Sequence, residues 1–333
     1  MLDDTKYNYV IYGADGYYEV GYHDLIGCTN VLFLRHYLQT ISNPLARIVA
    51  RFTFSKKVNQ VFSYPFSSFT FKHLASFTFS TRRPICFLYF GNVYWYTDFL
   101  VNSPYFDYLK RRFPDAKFGM YIQDIVSRNP HIDISRVKEQ FDFVLSYDKG
   151  DCEKYDLIYH PTPYSVYPVP QNHNITESDI YFCGKGKNRY ETIYKIYDYC
   201  IQKGLKCDFH ITGLSENAPK VDGIHYDKLS YIENLQHVAK TKCILEIMQS
   251  GANGFTPRVW ESMIYNKHLL TNNSTFLSSP YCKNDSTHLV ETDLDYITDW
   301  IKTPVKPIEE DKIHDLSPNQ LIKHIESILS QNI

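Results

Sequence analysis

Between Leu25 and Thr97 the chain carries neither aspartate nor glutamate. The same stretch holds Arg35, Arg47, Arg51, Lys56, Lys57, Lys72, Arg82 and Arg83. The formal net charge of -2 is therefore unevenly spread: those eight of 35 basic residues, set against 37 acidic ones, leave the rest of the chain strongly acidic. A basic region on an otherwise acidic protein calls for an anionic partner. Long hydrophobic runs are also missing. No apolar stretch approaches the roughly 20 residues that span a bilayer, and Met1-Leu2-Asp3-Asp4 opens no signal-peptide pattern, so the expected location is the cytoplasm. The 8 cysteines are scattered, with no Cys-x-x-Cys among them. That excludes a zinc knuckle and a redox dithiol, and structural disulfides are not expected in a reducing compartment. No Walker A ending and no GxGxxG is present. No Asp-x-Asp stands where it could hold a catalytic divalent metal, since Asp293-Leu-Asp295 falls late, at the start of a candidate helix.

What is present is aromatic. Tyr and Phe number 29 and 21 of 333 residues. The plain source of such a bias is genome composition; the sharper one is a surface that meets sugars or lipid headgroups. In the basic region, rings alternate with charge and hydroxyls, as in Arg51-Phe-Thr-Phe54 and Phe69-Thr-Phe-Lys72. This suits docking on an anionic membrane surface through residues 25–97; alternating Phe/Ser/Thr also reads simply as strand. Nucleic acid is not expected as a partner, because the whole chain is not basic and carries no nucleic-acid motif.

Continuous apolar runs mark strands buried on both faces: Tyr9–Tyr12, Pro84–Phe90, Phe118–Ile122 and Phe141–Ser146, with a last one at Leu157–His160. Val31–Thr40 has helical spacing, and Leu45–Phe54 continues it after Pro44. Four prolines between Pro161 and Asn174 mark a linker. Alternation then restarts: strand Asp179–Cys183, helix Arg189–Lys203, strand Cys207–Thr212, helix Leu229–Ala239, strand Cys243–Ile247, helix Val259–Tyr265, strand Lys267–Thr271, and helices Asp293–Lys302 and Pro318–Ser330. This predicts an α/β chain of two Rossmann-like domains facing a central cleft, with ligands at the carboxyl ends of parallel strands. The expected domains are 1–165, 175–303, and a tail with a helix, 304–333, that packs back on the first.

Two segments carry chemistry. Cys183-Gly-Lys-Gly-Lys-Asn-Arg-Tyr190 lies directly between a strand and a helix. Its glycines permit close backbone approach, the helix N-terminus offers free N–H groups, and Lys185, Lys187 and Arg189 add charge, a combination suited to a diphosphate. The plainer reading is a solvated basic turn. The second segment runs from Gly251 to Asn273. Thr256-Pro257 fits a helix N-cap and first position, which puts Arg258 in the first turn, where the macrodipole disfavours a cation. That placement points to an anionic ligand. Glu261, three residues on, shares its face; an intrahelical Arg–Glu pair is the plainer reading.

The order of these pieces resembles the GT-B glycosyltransferases, in particular bacterial group-1-like enzymes. The matching stretch runs from Asp179 to Asn273: a strand ending in the Gly/Lys loop, His210-Ile-Thr-Gly213, Ile224-His-Tyr226 with Tyr231-Ile-Glu-Asn-Leu235, and the Gly254-Phe-Thr-Pro-Arg258-Val-Trp-Glu261 helix. The resemblance implies a nucleotide-sugar donor site of Gly184, Lys185, Lys187, Arg189, Gly213, Asn253, Gly254, Phe255, Thr256, Arg258 and Glu261. Glu261 would grip the ribose hydroxyls, and the cations would neutralise the diphosphate in place of a metal. Many retaining members carry a second glutamate eight positions earlier; here Asn253 stands there, so no retaining mechanism is read from the motif. An inverting enzyme needs a base near the acceptor hydroxyl, and Asp15, Asp124 and His23 are the first-domain candidates.

The implied activity is a metal-independent transferase, without cofactor, that moves a hexose from a UDP-sugar to a glycan or lipid-linked acceptor. The setting would be bacterial surface polysaccharide or lipopolysaccharide synthesis, at the inner face of the plasma membrane. The alternatives are a GT-B-like nucleotide-sugar epimerase, for which Glu246 is the second-domain acid/base candidate, and a non-catalytic membrane-associated glycan- or nucleotide-binding module.

Overall fold

In a computed structural model of the chain, the described residues are 4–13, 16–35, 43–61, 67–91, 104–126, 133–249, 254–290 and 294–331. The chain divides into two compact units, Met1–Pro163 with Pro318–Ile333, and Tyr164–Ser317.

Among the described residues the first unit is built on six strands: β1 (Asn8–Gly13), β2 (Val31–Arg35), β3 (Ile85–Gly91), β4 (Lys117–Ile122), β5 (Phe143–Ser146) and β6 (Ile158–Tyr159), in the order β2-β1-β3-β4-β5-β6. Every pairing is parallel. The apolar runs form the strands because both faces of the sheet are covered. Val10, Tyr12, Phe87, Tyr89, Phe118 and Met120 face one core. Tyr9, Ile11, Leu88, Phe90 and Tyr121 face the other, where Leu321, Ile322, Ile325 and Leu329 of the C-terminal helix Pro318–Gln331 also pack. Much of the aromatic excess is therefore core: Tyr9, Tyr22, Tyr89, Tyr121, Phe87 and Phe90 are fully buried. Gly119 of β4 stands opposite Phe143 in the ladder, and a Cβ there would lie 2.0 Å from the ring.

One expectation fails outright. Val31–Arg35 is a strand, not the start of a helix. Four consecutive apolar residues satisfy either period, and parallel pairing of Tyr9 with Val31 through Gly13 with Arg35 decides it. The Phe/Ser/Thr alternation also misleads, since Ser67–Leu74 is helical. Of the helix expected over Asp293–Lys302, only Ile297–Trp300 forms among the described residues.

The C-terminal helix is also tied by polar contacts. Glu326 accepts hydrogen bonds from the backbone N–H groups of Lys6 and Tyr7 and, at 2.7 Å, from the Tyr9 hydroxyl. His160 and His324 meet through their Nδ1 atoms at 3.0 Å. Burial, with His324 as the secondary cause, pushes the His160 pKa from 6.5 down to about 3, and burial lowers that of His324 too. The unfolded chain therefore takes up these protons first. Stability is fully present above pH 6.5 and falls as pH drops from there toward 3, with a slope approaching about 1.4 kcal/mol per pH unit from His160; His324 adds to the loss in the same direction. Urea melts at neutral and mildly acid pH should show this loss, and His324→Gln should reduce it; an equal loss in both proteins would contradict it.

Among the described residues the second unit has five parallel strands: β7 (Ser178–Lys185), β8 (Cys207–Thr212), β9 (Thr241–Glu246), β10 (His268–Thr271) and β11 (Thr287–Leu289), ordered β11-β10-β9-β7-β8. Ile180, Phe182, Phe209, Ile211 and Leu245 pack with Ile193, Ile196 and Cys200 of the helix Tyr190–Gln202. The strand order reverses between β7 and β9. In a doubly wound sheet such a switch point opens a crevice at the carboxyl ends of the strands.

Candidate functional site

The β7 strand ends at this crevice in Cys183-Gly184-Lys185. From the other side comes the helix Pro257–Ile264, with Thr256 at its N-cap and Pro257 in its first turn. The Thr256 hydroxyl does not cap the helix; it donates to Glu246 Oε1 at the end of β9. Thr271 Oγ1 donates to the second oxygen of that carboxylate at 2.6 Å. Glu246 is fully buried. Burial raises its pKa, against the two threonine hydrogen bonds and the charges of Arg258 and Arg189.

Arg258 does not pair with Glu261 within the helix. Its Nη2 donates to the Cys183 carbonyl oxygen, and the guanidinium lies over the Phe182 ring at 5.5 Å. Gly184 leaves room for this: a Cβ there would stand 2.6 Å from Arg258 Nη2, so a larger residue would displace the guanidinium. A cation in the first helical turn, unfavourable for the dipole, is thus held by a carbonyl and an aromatic face.

Glu261 is 2% exposed. Its Oε1 accepts from Tyr231 at 2.5 Å, and from Tyr164 and Asn234 Nδ2 at 3.4 Å. Burial raises its pKa, with the Tyr231 hydrogen bond and then the Arg258 charge acting against the rise. Tyr231 and Asn234 are placed by a capping box, in which Ser230 Oγ accepts from the Glu233 N–H while Glu233 Oε2 accepts from the Ser230 N–H. Together Cys183, Gly184, Leu229, Ser230, Tyr231, Asn234, Pro257, Arg258 and Glu261 line a cavity of about 240 Å³.

The structure thus brings Gly184, Arg258 and Glu261 into one cavity. Lys185, the last residue of β7, and Lys187, just past it, are exposed, and Lys187 has a positive φ of 46°. Arg189 turns inward: its Nε and Nη2 donate to the Lys185 carbonyl oxygen at 3.0 and 2.8 Å, and its Nη1 to that of Ile247. It braces the loop between β7 and the following helix. Gly213, directly after β8, has a φ of 64° and lies against the Lys185 side chain. Gly254 is buried, and its carbonyl oxygen accepts from Asn273 Nδ2 at 3.2 Å. Phe255 packs edge-on to Trp260 and Phe276. Asn253 lies outside the described residues, as does Asp15. In the first unit, Asp124 is exposed just after β4, and His23 is half-buried in a 3-10 turn, His23–Leu25. Sequence reasoning missed Tyr164, Tyr231 and Asn234 as site residues. For the last two, the signal was Ser230-x-x-Glu233, which fixes the first helical turn.

No family model matches the sequence, and no curated protein does either. Solved structures do. An α-glucosyltransferase in complex with UDP-glucose and DNA containing an abasic site superposes with a TM-score of 0.51 at 11% identity, over 96% of this chain and 92% of that one. An α-glucosyltransferase with UDP and a DNA 13-mer containing a HMU base gives 0.52 at 12% identity, again over 96% and 92%. With its two parallel sheets and these neighbours, the chain has the GT-B glycosyltransferase fold.

Proposed function

We propose that the chain is a glycosyltransferase whose donor, a UDP-sugar, binds in the cavity between the end of β7 and the helix Pro257–Ile264. The observation that carries this reading is the pairing of one cation and one buried carboxylate in that cavity, Arg258 and Glu261, at the switch point of a parallel sheet. A nucleoside diphosphate needs both: an acceptor for ribose hydroxyls and positive charge for the phosphates. Glycosyl transfer builds positive charge on the sugar and negative charge on the departing diphosphate, so fixed cations there lower the barrier. Arg258 supplies one, and Lys185 and Lys187 follow the lining residue Gly184 in the chain. On this account the transfer needs no divalent metal, and Asp124, His23 or Asp15 takes the acceptor proton.

The acceptor is a glycan or lipid-linked sugar, reached at the inner face of an anionic membrane during surface polysaccharide or lipopolysaccharide synthesis. The helix Pro44–Phe54 supports a membrane-facing surface. Leu45, Ile48, Val49 and Phe52, spaced as one face, are 48–72% exposed, and Arg51 is exposed on the same helix. The α-glucosyltransferase structures above contain DNA, so DNA belongs in the acceptor panel although the sequence carries no motif for it.

A thermal-shift screen of UDP, GDP, CMP and dTDP and their sugars tests the donor. UDP at a hundred times its Kd should stabilise the protein by about 2.7 kcal/mol, with slow UDP-sugar hydrolysis that EDTA does not abolish. No shift with any nucleotide would reject the reading.

A further inference from the structure

The β8 strand is the edge of its sheet. Its Phe209 and Ile211 enter the core, so Asp208, His210 and Thr212 alternate to the opposite face. A short segment lies along this edge: the His225 N–H donates to the Phe209 carbonyl oxygen at 2.8 Å, and the Ile211 N–H to that of His225 at 2.8 Å. The backbone pairing stacks the His210 and His225 rings 4.7 Å apart. From the helix Tyr231–Lys240, His237 Nδ1 meets Asp208 Oδ2 at 2.6 Å, while Asp208 Oδ1 meets His210 Nε2 at 3.0 Å.

One atom of this cluster is out of place in a purely structural network. His210 is 5% exposed, yet its Nδ1 is buried with no hydrogen-bond partner among the described residues, and the nearby carboxylate oxygen, Asp227 Oδ1, is 4.0 Å away. A buried, unpaired ring nitrogen costs stability. One ligand atom each from Asp208, His210 and His225 lie within 4.8 Å of one another.

We propose that Asp208, His210 and His225 bind a single divalent transition-metal ion of the zinc class. Two imidazoles and one carboxylate favour zinc, nickel or cobalt over magnesium or calcium, which prefer oxygen. Donors on a tetrahedral zinc stand about 3.4 Å apart, so the site closes by a swing of the exposed His225 ring toward the two residues fixed on β8. His237 holds the Asp208 carboxylate from outside the coordination sphere, the usual orienting partner of a ligand. The ion clamps the covering segment to the sheet edge and, through His237, to the helix that carries Tyr231 and Asn234. Its role is structural and separate from sugar transfer, and it does not rest on the donor assignment.

The test is titration of the chelator-stripped full chain with Zn2+ by calorimetry, and with Co2+ by visible absorption. Expected are one ion per chain and a tetrahedral Co2+ spectrum without a thiolate charge-transfer band. Amide exchange at 211 and 225, the two N–H groups that donate across this pairing, should slow when the ion is added. His225→Ala, an exposed change that leaves the core intact, should weaken binding by at least about tenfold; Asp208→Asn should do the same. Absence of binding, unchanged affinity in His225→Ala, or a thiolate band from the free cysteines would each overturn the proposal.

Discussion

Arg258→Ala is expected to lower kcat by about 10²–10³ while the protein stays folded. Arg258 occupies the first turn of its helix, where the macrodipole opposes a cation. The fold keeps it there by laying its guanidinium on the Cys183 carbonyl oxygen and the Phe182 ring, past Gly184, where a Cβ would stand 2.6 Å from Nη2. These arrangements aim a fixed positive charge at the cavity that holds Glu261. In the proposed reaction, that charge faces the departing diphosphate, where preorganised charge acts on the barrier rather than on ground-state binding alone. Arg258→Lys keeps the charge but not the planar fork, and should recover only part of the rate. Gly184→Ala, which drives a methyl group into Nη2, should mimic the loss without touching a charge. Single-turnover donor hydrolysis measures all three. If Arg258→Ala lowers only the melting temperature and leaves kcat unchanged, the arginine is a structural clamp.

Gly119→Ala should destabilise the first unit by about 1–3 kcal/mol, the usual cost of overpacking a filled core. The new Cβ would fall 2.0, 2.3 and 2.7 Å from three ring atoms of Phe143, its partner in the β4–β5 ladder. Phe143 is 4% exposed and sits in the core that also contains Tyr121 and Leu145. It cannot step aside without moving its neighbours. Set against a domain stability of about 5–15 kcal/mol, this is a large single-site effect. Gly16→Ala, where nothing lies within 4 Å, serves as the control and should be tolerated. Pairing Gly119→Ala with Phe143→Leu should recover part of the loss, because the smaller side chain vacates the contested volume. Equal melting midpoints for Gly119→Ala and the wild type would contradict the packing described.

The buried strands were legible because parallel sheets covered on both faces demand continuous apolar runs, as in Pro84–Phe90 and Phe118–Ile122. The same rule explains the failure at Val31–Arg35, where four apolar residues in a row carry no period and a neighbouring strand decides. Two short helices, Ile134–Gln140 and Lys149–Tyr155, escaped notice although each starts at an aspartate whose side chain caps it. In the site, the sequence pointed to Arg258 and Glu261 on one helix. It could not show that they would face different partners, because the carbonyl and the tyrosines that hold them come from distant segments. Tyr164 is 97 residues from Glu261 along the chain and meets it only through the fold. Asp208, His210 and His225 are hidden for the same reason, since strand alternation and an edge pairing, not a ligand spacing, bring them together.

In the proposed function, the cavity at the end of β7 holds a nucleoside diphosphate through Glu261 and Arg258. The most direct measurement is calorimetric titration of UDP into the wild type and into Glu261→Gln. The amide keeps an oxygen to accept from Tyr231, so the cage around position 261 survives while the charge that would take the ribose hydroxyls is lost. The account predicts one UDP per chain in the wild type and affinity at least about tenfold weaker, or about 1.4 kcal/mol, in the variant. Equal affinity in the two proteins would place the nucleotide elsewhere, and no binding to the wild type would contradict the claim itself.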